Sequence, residues 1–312
     1  MVSLKEVKQE AQLSLLGKDI LHSLIYFNIF KYPLRIEELF SNSSVKTASL
    51  HNVIEEADLL VKQGLINKVG DWYYIYDNRQ LIAKRITGNA LAAKYMGLAK
   101  KVGCFIACFP FVRGVFISGS LSKGYMDKDS DFDFFVVTAP NRLWLCRTLL
   151  IIFKKIFLLN SKKIFCPNYF IDTEHLEIPD QNMFTAKEIN YLIPVYNKQL
   201  YKQLLTSNEW REDYMPNFSE YKRFVYSEAI RFKDFIEKLL NGKTGEWLDN
   251  LSMKVTERFW QKKHKEAFGN NVSIRCRKYV SKFHPKGYQN RVIESYKENI
   301  KAFEIIYNVN LY

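Results

Sequence analysis

Residues 112–138 read VRGVFISGSLSKGYMDKDSDFDFFVVT, and the fold is decided here. Gly114 to Ser118 is an apolar run that predicts a buried strand. Gly119-Ser120 follows, then Gly124, then a polar loop. Ser130-Asp131-Phe132-Asp133 leads into a second apolar run, Phe134 to Thr138. The whole is G-S-x3-G-x5-S-D-x-D followed by a strand.

The spacing has a chemical consequence. Side chains alternate across a strand, so Asp131 and Asp133 share one face while Phe132 and Phe134 take the other. Two carboxylates side by side resist joint ionisation unless a cation lies between them. Mg²⁺ is the expected cation, because it is hard and accepts one or two carboxylates plus substrate phosphates. Gly119 permits close backbone approach to a phosphate. Ser120 offers a hydroxyl, and the amides of a short helix starting there favour an anion. Lys123 is placed to reach a phosphate.

This pattern resembles the signature of the DNA polymerase β-like nucleotidyltransferase superfamily. It is most similar to the minimal bacterial and aminoglycoside-type members. The resemblance covers roughly residues 105–175. It implies NMP transfer from a nucleoside triphosphate, with ATP the expected nucleotide, to a hydroxyl acceptor. It also implies a two-metal Mg²⁺ site on Asp131, Asp133 and a third carboxylate borne by the next strand. Asp172 is the expected third acid, with Glu174 and Glu177 as rivals. Gly119, Ser120, Lys123, Gly124 and Ser130 are then the nucleotide-binding residues, Ser130 by orienting Asp131 or its loop.

The chain has 312 residues, 47% of them hydrophobic, enough for two or three domains with real cores. Its formal net charge of +13 suits a polyanionic partner. The five cysteines form no C-x2-C pair, which argues against a disulfide framework or a zinc site. The charged start, MVSLKEVKQEAQ, lacks an apolar leader core. The greasiest stretch, Leu143 to Leu159, is broken by Arg147, Lys154 and Lys155. A soluble cytoplasmic protein without a membrane span is expected.

The fold class expected is a multidomain α+β protein. Residues 1–78 read as a small winged-helix-like unit: helices over 18–30, 35–40 and 48–63, then a hairpin turning at Gly70-Asp71. Glu55, Glu56 and Asp58 on the third helix make a poor phosphate-contacting surface, so a protein-contact or structural role is favoured over DNA binding. Residues 79–110 read as a linking helix with a charged outer face. The core, 111–180, has a short mixed sheet. Within it Asn141 is the expected N-cap of a helix to Leu159, and a strand over 164–171 carries a bulge or edge at Pro167.

Residues 181–312 read as a long helical region. A capping box at Thr185 to Glu188 opens it, and further helices are expected over 219–241, 245–268, 273–283 and 289–307. Between Arg258 and Arg291 stand ten basic residues against one acid, Glu266, a net of +9. Trp260, Tyr279, Phe283 and Tyr288 are interleaved with them. That composition suits RNA, DNA or a protein acceptor, with RNA or protein favoured. His264 and His284 stand isolated. A regulator whose winged helix reads DNA, with an inactive nucleotide-sensing core, is the alternative. A defence component that modifies a partner protein is a third reading. The sequence leaves the oligomeric state open.

Overall fold

The computed structural model describes residues 13–159, 161, 163–219, 232–265, 274–284 and 286–312. The chain divides into two compact units, and the division is not the serial one expected from 1–78, 79–110, 111–180 and 181–312. The first unit comprises Met1–Arg85, Glu212–Ser219 and Arg291–Tyr312; the second comprises Ile86–Arg211 and Glu220–Asn290. The C-terminal segment therefore belongs with the N-terminal one.

In the first unit, α1 (Leu15–Asn28), α2 (Ile36–Asn42) and α3 (Leu50–Lys62) precede a hairpin of β1 (Asn67–Val69) and β2 (Trp72–Tyr74). Ser49 caps α3 by accepting from Asn52 N. Gly70 makes the hairpin turn at φ +56. Leu34 bridges to Tyr73, adding a third extended segment. The outer side of α3 exposes Leu50, Ile54 and Leu59, and its acids are partly engaged, Glu55 by His51 and Asp58 by Lys68. The order of elements is the one expected, and this α3 surface is apolar and acidic rather than basic. The last helix, α11 (Tyr288–Tyr307), buries Val292, Ile300 and Phe303. Beyond it Leu311 is buried, and its carbonyl lies 3.1 Å from His22 Nε2.

The second unit is built on a six-stranded mixed sheet, ordered β6-β3-β4-β5-β8-β7. Its strands are β3 (Val112–Ser118), β4 (Asp133–Thr138), β5 (Cys166–Asp172), β6 (Ile193–Tyr196), β7 (Ile274–Arg277) and β8 (Val280–Phe283). Only β4 and β5 are parallel. Both faces are covered, which explains the near-continuous apolar runs. Val115, Ile117, Phe134, Val136 and Phe170 join one core cluster; Phe116, Phe135, Val137 and Ile171 join the other. Helix α4 (Gln80–Ala107), read from sequence as a solvated linker, sends Ala92, Ala99 and Ile106 into the first cluster.

Several expectations are corrected. Residues 274–283 are a hairpin, not a helix, because Ile274 and Cys276 are buried while Arg275 and Arg277 face the other way, a period of two. Three of the six strands thus come from the region expected to be helical. Pro194 is tolerated in β6 because that strand lies at an edge. The cap of α7 (Met183–Asn190) is Asn182, which accepts from Thr185 N, so Thr185 sits inside the helix. Asn141 adopts φ +57 and does not cap α6 (Leu143–Phe157). Of the helix expected over 219–241, α9 (Phe232–Leu240) is observed and residues 220–231 lie outside the described set.

The start of α6 is satisfied from a distant helix. Asp249 of α10 (Lys243–Lys263) is fully buried; its Oδ1 accepts from Leu145 N and its Oδ2 from Lys278 Nζ, both at 2.8 Å. Removing a buried, doubly engaged carboxylate leaves Leu145 N unmatched and Lys278 with Asn250 as its remaining acceptor, so Asp249→Ala is expected to cost about 3 kcal/mol. Urea unfolding checks this, with Asp249→Asn, which keeps the amide bond, losing clearly less.

Candidate active site

The expected motif forms one end of the sheet. Strands β3 and β4 are antiparallel, and Ser118 pairs with Asp133. The end of one strand and the start of the next therefore lie side by side. Just past Ser118 the chain turns into α5 (Gly119–Ser122), a single turn. Gly119 adopts φ +69, and a Cβ there would collide with Asp133 Oδ2. The glycine is thus required twice, by backbone conformation and by the carboxylate against it.

The loop into β4 is tied down locally. Ser130 Oγ accepts from Asp127 N and donates to Asp127 Oδ1, each at 2.9 Å. Gly124 turns at φ +72. Phe132 is buried in the first core cluster, and the Asp131 charge lies near enough to Asp133 to act on its carboxyl. Burial, and then the Asp131 charge, push the Asp133 carboxyl up to about 7; Glu188 adds to this more weakly. Lys123 Nζ donates to Glu188 Oε1 at 2.8 Å and to Gly119 O at 3.2 Å. The lysine therefore stands in the motif, paired with an acid from α7.

Asp172 does not join this group. β4 and β5 run parallel with Asp133 opposite Cys166 and Thr138 opposite Asp172. Asp172 is five strand positions away, about 17 Å at ~3.3 Å per residue. It is buried at the far end, where Oδ1 accepts from Glu174 N and meets His175 Nδ1 at 2.8 Å. Glu174 and Glu177 follow it there. Cys166 is the residue paired with Asp133, and an amide from the same strand reaches the carboxylate. Pairing jumps from Phe134–Pro167 to Phe135–Tyr169, so Asn168 is the extra residue of a bulge, and its Nδ2 donates to Asp133 Oδ1 at 2.8 Å.

Sequence reading missed three residues. Asn168 was hidden because the register of β5 depends on a bulge that Pro167 only hints at. Glu188 was read as half of a capping box. His284 follows β8, whose pairing with β5 carries it towards the Asp133 end of the sheet. Burial, with Lys282 second, pushes its imidazole down to about 4, against the pull of Glu188. Among the described residues, no three His, Cys, Asp or Glu side chains gather closely enough to hold a metal ion. The pair Asp131 and Asp133 does fit a hard cation needing one or two carboxylates, since a cation relieves the like charge that raises Asp133.

Part of the expected polyanion surface is spent internally. Arg275 and Lys282 both pair with Asp180, and Lys278 with Asp249. Trp260 is buried and stacks on Phe283 at 4.6 Å. Among the described residues, no helix is long and apolar enough to cross a membrane.

A family model described as a nucleotidyltransferase domain matches residues 104–297. No curated protein and no solved structure matches the chain.

The raised Asp133 carboxyl has a signed consequence for stability. Its folded value of about 7 lies above the ordinary 3.8, so the folded state holds a proton that the unfolded chain has lost between these values. Metal-free protein should therefore lose stability as pH rises from about 4 to about 7. Thermal melts in EDTA across that range check this, and Asp133→Asn should flatten the decline.

Proposed function

Because the chain belongs to the nucleotidyltransferase domain family, in line with its resemblance to the polymerase β-like superfamily, we propose Mg²⁺-dependent transfer of a nucleoside monophosphate from ATP or another NTP to a hydroxyl. The observation that carries this reading is the contact of Gly119 with Asp133, which brings the phosphate-approach turn and the acid pair to one point. Asp131 and Asp133 hold the cation. When bound, it neutralises charge on the phosphates and lowers the pKa of the attacking hydroxyl.

This chain's own residues do the positioning. The backbone at Gly119 and the Ser120 hydroxyl approach the β,γ-phosphates without a side chain in the way. Lys123, held by Glu188 in the structure, turns to a phosphate when one arrives. Gly124 and Ser130 keep the loop folded so that Asp131 is presented beside Asp133. The acceptor oxygen bonds to the α-phosphorus, the bond from that phosphorus to the bridging oxygen breaks, and pyrophosphate leaves. The hydroxyl proton passes to water. Such chemistry is chiefly positioning and charge neutralisation. The acceptor is RNA or a protein, met by exposed bases of segment 258–291 such as Arg258 and Lys262.

One observation favours a second reading. The β5 side chain that meets Asp133 is the amide of Asn168, not a third carboxylate. A site of two acids and an amide suits nucleotide binding without transfer, as in a sensor whose N-terminal unit contacts a partner.

Two experiments separate these readings. Incubation with each α-³²P-labelled NTP, Mg²⁺ or Mn²⁺, and total cellular RNA and protein should label an acceptor, and Asp131→Asn with Asp133→Asn should lower the yield at least about 10²-fold. A wild-type protein that binds ATP but labels nothing, with labelling gained by Asn168→Asp, would establish the sensing reading instead.

A further inference from the structure

The sheet face that carries Asp133 continues into a second concavity. Phe135 shares that face by alternation, and Tyr169 of β5 stacks on it with centroids 4.9 Å apart and planes at 10°. Beyond Tyr169, over β8 and β7, lies a pocket of about 230 Å³ lined by Ile171, His175, Arg275, Arg277 and Tyr279 as well. By strand spacing of ~4.8 Å, Arg275 on β7 is about 15 Å from β4. The pocket is therefore separate from the acid pair.

Its polar groups are predominantly donors without acceptors. Tyr169 Oη and Arg275 Nη1 are buried and make no hydrogen bond of good geometry; the guanidinium stands beside the phenol and favours its ionised form against the effect of burial. Arg277 has one weak bond, to the Cys276 carbonyl at 3.4 Å. The nearby acids are largely engaged: Asp180 takes Arg275 Nη2 and Lys282 Nζ, and Asp172 takes His175. Glu177 lines the pocket and accepts from Gln181 Nε2 at 3.1 Å. Buried donors that find no well-formed acceptor are rare in folded proteins and point to a ligand that supplies one.

The donors are also held in place. Trp144 Nε1 donates to Arg277 O at 2.8 Å, and Lys278 Nζ grips Asp249 and Asn250, so the β7–β8 turn is fixed from below. His175 and Tyr279 stack at 4.2 Å to form a flat wall. Two guanidinium groups and a phenol lining one pocket supply the kind of donors that hold phosphate oxygens.

We propose that this pocket binds a phosphate group through Arg275, Arg277 and Tyr169. The assignment goes beyond the transfer reading and stands without it.

The test is calorimetric titration of the full-length protein with inorganic phosphate. EDTA is present, so that no divalent ion bridges phosphate to Asp131 and Asp133. Saturable binding is expected, weakened about tenfold in Arg277→Gln and several-fold in Tyr169→Phe, since bonds to charged groups are the stronger ones. Tyr169→Phe removes a hydroxyl that makes no well-formed hydrogen bond, and a melting temperature held near that of the wild type excludes misfolding as the cause. Absence of saturable binding, or equal affinity in all three proteins, would overturn the proposal. Displacement of phosphate by ATP would assign the group to the nucleotide; displacement by a 5′-phosphorylated dinucleotide would assign it to an acceptor strand. Either result supports the pocket.

Discussion

The antiparallel register of β3 and β4 is the constraint on which the site depends. Pairing of Ser118 with Asp133 places the exit of one strand against the entry of the next. Gly119 can then lie against a carboxylate that would collide with any side chain. Phe132 is buried, and the Asp131 charge lies near enough to act on Asp133. The cost is a carboxyl forced towards neutrality by burial and a like charge, and such a site gains from any cation that enters it.

A second constraint is the account of buried charge. The chain has a large positive excess, yet much of it in the second unit is structural. Asp249 satisfies a helix start and a turn lysine together, and Asp180 binds both an arginine and a lysine of the β7–β8 hairpin. These pairs fix the hairpin against β5. What they leave over is specific: an arginine nitrogen and a tyrosine hydroxyl that face one another without a well-formed hydrogen bond in a concave place. The distribution of paired and unpaired donors carries more information than the net charge.

The bulge in β5 shows how a single residue redirects a site. Without the extra Asn168, alternation would continue unbroken from Cys166 to Asp172. The inserted residue shifts the register just past the Phe134–Pro167 pair and aims an amide at Asp133. The side chain that meets Asp133 from β5 is thus a neutral donor that favours its ionised form.

The sequence by itself determined the motif strands, the glycine turn and the acid pair, because these follow from local spacing and strand alternation. It also showed the helices of the first unit, whose periodicity and caps are local. It misplaced Asp172, missed Asn168, Glu188 and His284, and read a hairpin as a helix. Those features depend on register between strands far apart in the chain: Asp172 and Asn168 are four residues apart, yet only the pairing of β5 with β4 decides which one meets Asp133. The joining of the last helix to the first unit is likewise a matter of which apolar faces meet. Local spacing says which side of an element is apolar; only the tertiary structure decides what that side is packed against.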